Sequence, residues 1–441
     1  MKKSILALGL SLFAFANIQA QKVEFEEYTL KNGMHVILHQ DNSAPVVTVS
    51  VMYHVGAKDE VDGKTGMAHF YEHLLFTGTK NIGRGEWSKI VSSNGGSGNA
   101  NTNWDRTYYY ETFPSNNLKL GLWMESERLM HPIIDQKAVD TQNEVVKEEK
   151  KLRMDNAPYG KIIYGDVYNH IFDKHKYGRP MIGYIKDLDA AKLSEFQDFY
   201  KKWYMPNNAV LVVAGDLKKG ETKKWIKEYF ESIPNRTAPK RVKIAEPERT
   251  KEKRVKEYDA NIQLPALALT YKTPAMRERD AKVLDVISTI LSNGKSSRLH
   301  KKMVDTKKEA LSVFSFARPL EDYSVYLIGA MPVGKTSLDV LQKSMDEEIL
   351  KMQTELISDE DLQKVRNIFE NNFVNANSGV EGIANSLARN YMLVGDTNRI
   401  NKELEIINSI TKEEIRAAAK KYLNKDRRVI IEYLPESQKK K

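Results

Sequence analysis

The sequence predicts an α+β protein built from two similar halves, each a sheet with helices packed on it. Three observations carry this expectation. Runs rich in β-branched residues, such as Val46 to Val55 and Ala209 to Ala214, alternate with segments of helical periodicity. A helix-then-strand unit, Ser194 to Tyr204 followed by Ala209 to Ala214, recurs as Thr411 to Tyr422 followed by Arg428 to Tyr433. Between the halves, Pro234 to Lys256 is polar, basic and aperiodic, as a linker is. At 441 residues the chain can bury two full cores.

The N-terminus reads as a secretory signal over residues 1–20: Lys2-Lys3, an apolar run from Ile5 to Ala16, then the small Ala20. That run is too short to persist as a membrane anchor. The expected divisions are signal 1–20, first domain 21–233, linker 234–256 and second domain 257–441. Cysteine is absent, which excludes disulfides and thiolate metal sites. A soluble periplasmic protein without an integral membrane span is expected. The formal charge of +9 is dispersed, with Lys/Arg alternating with Asp/Glu as in Glu144 to Arg153. No nucleic-acid motif accompanies it, so nucleic acid is not an expected partner.

In chain order, Glu24 to Leu38 reads as strand, turn and strand about Asn32-Gly33, a strong hairpin signal. His35 and His39 read there as strand-face residues. Val46 to Val55 is a further strand, and Gly56 turns it toward a helix. In that helix Thr65 is the expected cap, and Met67, Phe70, Leu74 and Leu75 suit a buried face. The helix carries His69-Phe70-Tyr71-Glu72-His73. Histidines at i and i+4 share a helix face and can share one tetrahedral metal, and zinc favours such nitrogen ligands. Glu72 borders that face, where it can take a proton from an attacking water and return it to a leaving amine. This is the zinc-hydrolase pattern in inverted order.

Next, Ser92 to Thr102 is glycine-rich, too irregular for a phosphate loop, and enters Thr107 to Phe113. It reads either as an edge strand near Asn99-Ala100, able to pair with an extended peptide, or as an ordinary connection. Leu118 to Met130 and Ala138 to Met154 are helical, and zinc held by His69 and His73 needs a third ligand. Glu144, Glu148 and Glu149 are the candidates, and periodicity does not choose among them. The helix Leu193 to Tyr204 ends before Pro206, and Lys223 to Ile233 is amphipathic. In the second half, Ser358 to Phe373 echoes Asp135 to Arg153. Ala266 to Tyr271, with the helix Arg277 to Leu291, echoes the strand and helix around His69. No His-x-x-Glu-His recurs there, so only the first half can carry the metal.

Gly66 to Thr79, Asn143 to Glu149 and Tyr204 to Asp216, in this order, resemble the metal helix, third-ligand helix and strand entry of the pitrilysin/insulinase family of zinc peptidases. The likeness is to the two-domain branch that includes mitochondrial processing peptidase, and it covers nearly the whole mature chain. The resemblance implies two α/β-roll domains, antiparallel-rich and clam-like, enclosing a peptide chamber. It implies one Zn2+ per chain held by His69, His73 and Glu149, with Glu148 the runner-up and Glu72 as catalytic base. It also implies that Asn99 and Ala100 lie on the strand that pairs with substrate backbone.

One departure stands out. After a Ser-Arg-Leu like Ser297-Arg298-Leu299, catalytic relatives carry an Arg and, seven residues on, a Tyr. Val304 and Leu311 stand there instead, and neither can donate to a developing oxyanion, a contribution of about 3 kcal/mol per donor. The expectation is therefore a zinc-dependent endopeptidase forming the metal-bearing subunit of a heterodimer, its related partner supplying Arg and Tyr. Arg298, or the Arg389/Tyr391 pair, are the in-chain substitutes. A non-catalytic peptide-binding or assembly subunit is the rival reading.

Overall fold

The computed structural model describes residues 22–439, so the expected signal 1–20 lies outside the described residues. Two sheets organise the chain. The first comprises β1 (Glu26–Thr29), β2 (His35–Gln40), β3 (Val46–Tyr53), β4 (Ser97–Thr102), β5 (Thr107–Pro114) and β6 (Ala209–Gly215), in the order β1-β2-β6-β3-β5-β4. The second comprises β7 (Lys253–Asp259), β8 (Ala266–Thr273), β9 (Ala310–Arg318), β10 (Ser324–Pro332) and β11 (Arg428–Pro435), in the order β7-β11-β8-β10-β9. With β1 set aside the two orders correspond strand for strand. Each sheet has one parallel pair, β2 with β6 and β7 with β11, and its other pairings are antiparallel. The repeat read in the sequence is thus a repeat of topology.

Helices cover both faces of each sheet, and each half lends one to the other. Val49, Val51, Leu211 and Val213 pack on one side against Phe70, Leu74, Leu122, Phe196 and Ile226. On the opposite face, Ile37, Met52, Val210 and Val212 lie under Ile383, Ala384, Leu387 and Ala388 of the second-half helix Val380–Arg389. Reciprocally, Tyr168 and Ile171 of the first-half helix Val167–Ile171 cover Ala266, Ala268, Val429 and Ile431. A strand buried on both faces needs no alternation, which is why β6 is apolar throughout and β11 runs Val429-Ile430-Ile431 without a polar break.

Some boundaries differ from expectation. The helix expected over Ala138 to Met154 spans Gln136–Lys150, then widens into a π-helical turn, Lys151–Asp155. The expected linker 234–256 ends early, because Lys253 already begins β7. β7 is an edge strand whose Lys253, Arg254, Lys256 and Glu257 guard it against further pairing, so its sequence reads as polar connection. Among the described residues no helix is long and apolar enough to cross a membrane.

Candidate metal centre

His69, Glu72 and His73 lie on the helix Met67–Leu74, whose Met67, Phe70, Tyr71 and Leu74 are buried in the first core. Its start corrects one expectation. Thr65 is not the cap: its hydroxyl donates to Asp187 Oδ2 (2.7 Å) and accepts from the Tyr184 amide (2.9 Å). The buried Glu60 carboxyl group caps the helix instead, accepting from the Gly66 amide (2.8 Å) and the Ala68 amide (2.9 Å). Burial pushes the Glu60 carboxyl up to about 8, against the pull of those two amides. Gly66 has φ +88°, and a Cβ on the neighbouring Gly183 would lie 2.4 Å from the Gly66 Cα, so two glycines meet where the helix begins.

The other end of the helix is fixed by Arg128, which is fully buried with Glu111 and Glu125. Its Nη1 donates to the Leu75 carbonyl (3.1 Å), its Nη2 to Glu111 Oε1 (2.6 Å) and its Nε to Glu125 Oε1 (2.9 Å). The guanidinium lies 4.0 Å from the Trp87 ring centre and 4.5 Å from those of Phe76 and Tyr109. Two carboxylates share one cation here. Burial first, then the neighbouring Glu125 charge, hold Glu111 well above the ordinary carboxylate range.

Of the three carboxylates left open by periodicity, Glu149 is the one that meets the histidines. Its Oε2 lies 2.9 Å from His73 Nε2 and 3.4 Å from His69 Nε2. Glu144 pairs with Lys147 and Glu148 with Lys151, both on the solvent side. One ligand atom from each of His69, His73 and Glu149 can be chosen so that all lie within 4.8 Å of one another. His73 Nε2 and Glu149 Oε2 are buried, and despite their closeness neither has a directed hydrogen-bond partner among the described residues. Nitrogen and oxygen ligands of tetrahedral zinc, at about 2.0–2.1 Å from the ion, lie roughly 3.3 Å apart. The donor set and its spacing therefore fit zinc. Burial alone would raise the Glu149 carboxyl, but the two imidazoles beside it hold it well below the ordinary range. Arg153 Nε holds its other oxygen at 3.0 Å.

Glu72, half-buried, makes no ion pair or hydrogen bond to protein among the described residues; its charge is felt by Arg106, Tyr109 and Tyr204. β4 is one of the two edge strands of the first sheet, opposite β1, and packs against the His69 helix. Asn103 and Arg106 form a hydrogen-bonded pair (3.0 Å), so by antiparallel alternation Gly98, Ala100 and Thr102 direct their N–H and C=O groups outward. The Ala100 side chain faces the core, and its amide is met by Asn99 Oδ1 at 2.9 Å.

In the second half, Val304 packs against the core and Leu311 is exposed on β9. Arg298 is engaged by Asp361 (3.3 Å). Tyr391 stacks on His35 with ring centres 3.7 Å apart, and Arg389 lines a small cleft with Asp285 and Glu403. Glu60, Arg128 and Gly183 escaped sequence reasoning, since each acts from outside the motif and no spacing signals it.

The comparisons with known proteins come to the same place. Residues 35–184 match the family model for insulinase, peptidase family M16, and residues 191–369 match that for the peptidase M16 inactive domain. The zinc protease PqqE of Helicobacter pylori is 32% identical, covering 82% of this chain and 81% of that protein. A probable mitochondrial-processing peptidase subunit beta of Arabidopsis thaliana is 22% identical over 90% of this chain and 75% of its own length. A crystal structure of a protease from Helicobacter pylori superposes with TM-score 0.88 at 29% identity, covering 93% of this chain and 99% of the other. With a relative this similar over four-fifths of its length and matching models on both halves, the chain belongs to the insulinase family of zinc proteases, peptidase family M16.

Proposed function

We propose that the protein is a zinc-dependent endopeptidase acting on peptides or unfolded segments, with one zinc per chain held by His69, His73 and Glu149. The observation that carries this reading is the convergence of those three ligand atoms beside an unpaired Glu72. Zinc bound there supplies Lewis acidity toward a peptide carbonyl and lowers the pKa of the attacking water. The chain's own residues do the rest. Glu72, one position before His73 and uncommitted to any other group, takes the proton from that water and delivers it to the leaving nitrogen. The outward groups of Gly98, Ala100 and Thr102 pair with an extended substrate, which must displace the Asn99 side chain from the Ala100 amide.

Pairing with a related subunit belongs to the same proposal. Val304 and Leu311 are apolar where an Arg and a Tyr would act, while Arg298 and Tyr391 are already engaged within the chain. A partner that supplies both groups closes the peptide chamber and completes the oxyanion contacts. Export to the periplasm rests on the basic and apolar pattern of residues 1–20. The test is cleavage of a quenched peptide by the chain alone and with candidate related subunits. Activity lost to a chelator, restored by zinc and strongest with the partner supports the reading. Peptide binding without cleavage under every combination returns the non-catalytic subunit.

A further inference from the structure

The second half carries no metal motif, yet besides the exchanged helices it grips the first half at a buried ammonium group. Lys58 is 8% exposed, and its Nζ lies 2.9 Å from Asp105 Oδ1, 2.6 Å from Glu321 Oε2 and 2.9 Å from Asp322 Oδ2. Asp105 sits in the turn joining β4 to β5, whereas Glu321 and Asp322 sit in the loop joining β9 to β10. The surrounding groups complete a closed network. The Glu321 amide donates to Asp105 Oδ2 (2.9 Å), the Tyr177 hydroxyl donates to Asp105 Oδ1 (2.5 Å), and the Asp322 amide donates to the Tyr177 oxygen (3.0 Å). His54 Nε2 stands 2.8 Å from Glu321 and His175 Nε2 stands 3.4 Å from Asp322. Buried charges persist only when paired and hydrogen-bonded, so removing the shared cation leaves three carboxylates in mutual repulsion.

The same turn controls the edge strand. Asn103 Oδ1 accepts from the Asp105 amide (2.7 Å) and the Arg106 amide (2.9 Å), and Arg106 Nη1 donates to the Asn101 carbonyl of β4 (2.7 Å). Whatever holds Asp105 therefore holds β4. We propose that Lys58 is a positioning residue through which the second half fixes the β4–β5 hairpin, and with it the substrate-pairing edge, beside the metal site. The substrate-pairing part rests on the peptidase reading above; the mechanical part does not.

The test is hydrogen exchange by mass spectrometry on the full-length protein, comparing the parent with Lys58→Met and Lys58→Arg. Lys58→Met should exchange the amides of residues 97–110 faster by on the order of tenfold or more, as expected for local release of a buried ion-pair network. Residues 67–74 should exchange at the parental rate, and Lys58→Arg should restore most of the protection. With a cleavable peptide, Lys58→Met should raise KM while kcat and zinc content stay near those of the parent. If Lys58→Met does not fold, Asp322→Asn, which keeps Lys58 and one fewer carboxylate, should give the same localised effect in smaller measure. Unchanged exchange of the hairpin, or equal acceleration throughout the chain, overturns the proposal. If the parent cleaves nothing, alone or with any related subunit, the peptidase reading fails and the exchange pattern alone still decides the role of Lys58.

Discussion

Replacing Arg128 with methionine should destabilise the protein in a way that depends steeply on pH. Among the described residues Arg128 is the sole cation on two fully buried carboxylates, Glu111 and Glu125, and it also holds the Leu75 carbonyl at the end of the His69 helix. With one buried cation between two buried carboxylates, charge balance calls for one shared proton, the direction in which burial and the Glu125 charge push Glu111. In Arg128→Met both carboxyls must be neutral to stay buried. Keeping both neutral at pH 7, against the ~4.3 of a glutamate in the unfolded chain, costs about 3.7 kcal/mol more than in the parent at 1.36 kcal/mol per unit. The lost hydrogen bond to Leu75 adds about 1 kcal/mol. The sum is near the roughly 3–5 kcal/mol typical of breaking a buried ion pair. The folded variant retains a proton that its unfolded chain releases, so its stability falls as pH rises above the carboxylate range. At pH 5 the same protonation costs only about 1 kcal/mol, and the total loss falls to about 2 kcal/mol. Thermal unfolding of parent and variant at both pH values is the assay. For domains of this size the variant should melt on the order of 10 °C lower at pH 7, with the gap at least halved at pH 5. An equal shift at both pH values would refute the shared-proton account of this cluster.

Three further outcomes are expected. Glu149→Gln should weaken zinc affinity, read by chelator competition, on the order of a hundredfold, whereas Glu148→Gln, which only frees the exposed Lys151, should leave it unchanged. Gly183→Ala should lower thermal stability by several kcal/mol, because the added Cβ would lie 2.4 Å from the Gly66 Cα and φ is +80°; a variant as stable as the parent contradicts the close approach. Glu60, raised to about 8 from 4.5, contributes stability that is present below pH 4.5 and lost as pH rises through about 8. Glu60→Gln should flatten that part of the pH–stability curve, and an unchanged slope would place the titration elsewhere.

What could be read from the sequence follows physical range. The His69 helix and the strands β2, β3, β6 and β11 were legible because their burial is written in local periodicity. The N-cap was not, since Glu60 reaches Gly66 across a loop whose residues carry no capping signature. The short helix Val167–Ile171 and the helix Val380–Arg389 look like ordinary amphipathic segments, and nothing local states that each covers the other half's sheet. β7 read as linker because an edge strand is protected by the same charges that mark a connection. Within the site, helical spacing places His69, Glu72 and His73 together, but distinguishing Glu149 from its neighbours takes the angle at which the helix Gln136–Lys150 crosses the first. Arg128 and Lys58 were illegible for a related reason: a buried cation looks in sequence like any surface lysine or arginine.

Metal content and peptide cleavage, measured together on the parent and on Glu72→Gln, separate the metal ligands from the base. Neither imidazole nor the Glu149 carboxylate is altered by that substitution, and only the carboxylate assigned to proton transfer is lost. Glu72→Gln should keep parental zinc content with cleavage reduced by the ~10²–10⁴-fold typical of losing a general base. A zinc-free variant, or one that cleaves as fast as the parent, would contradict that assignment.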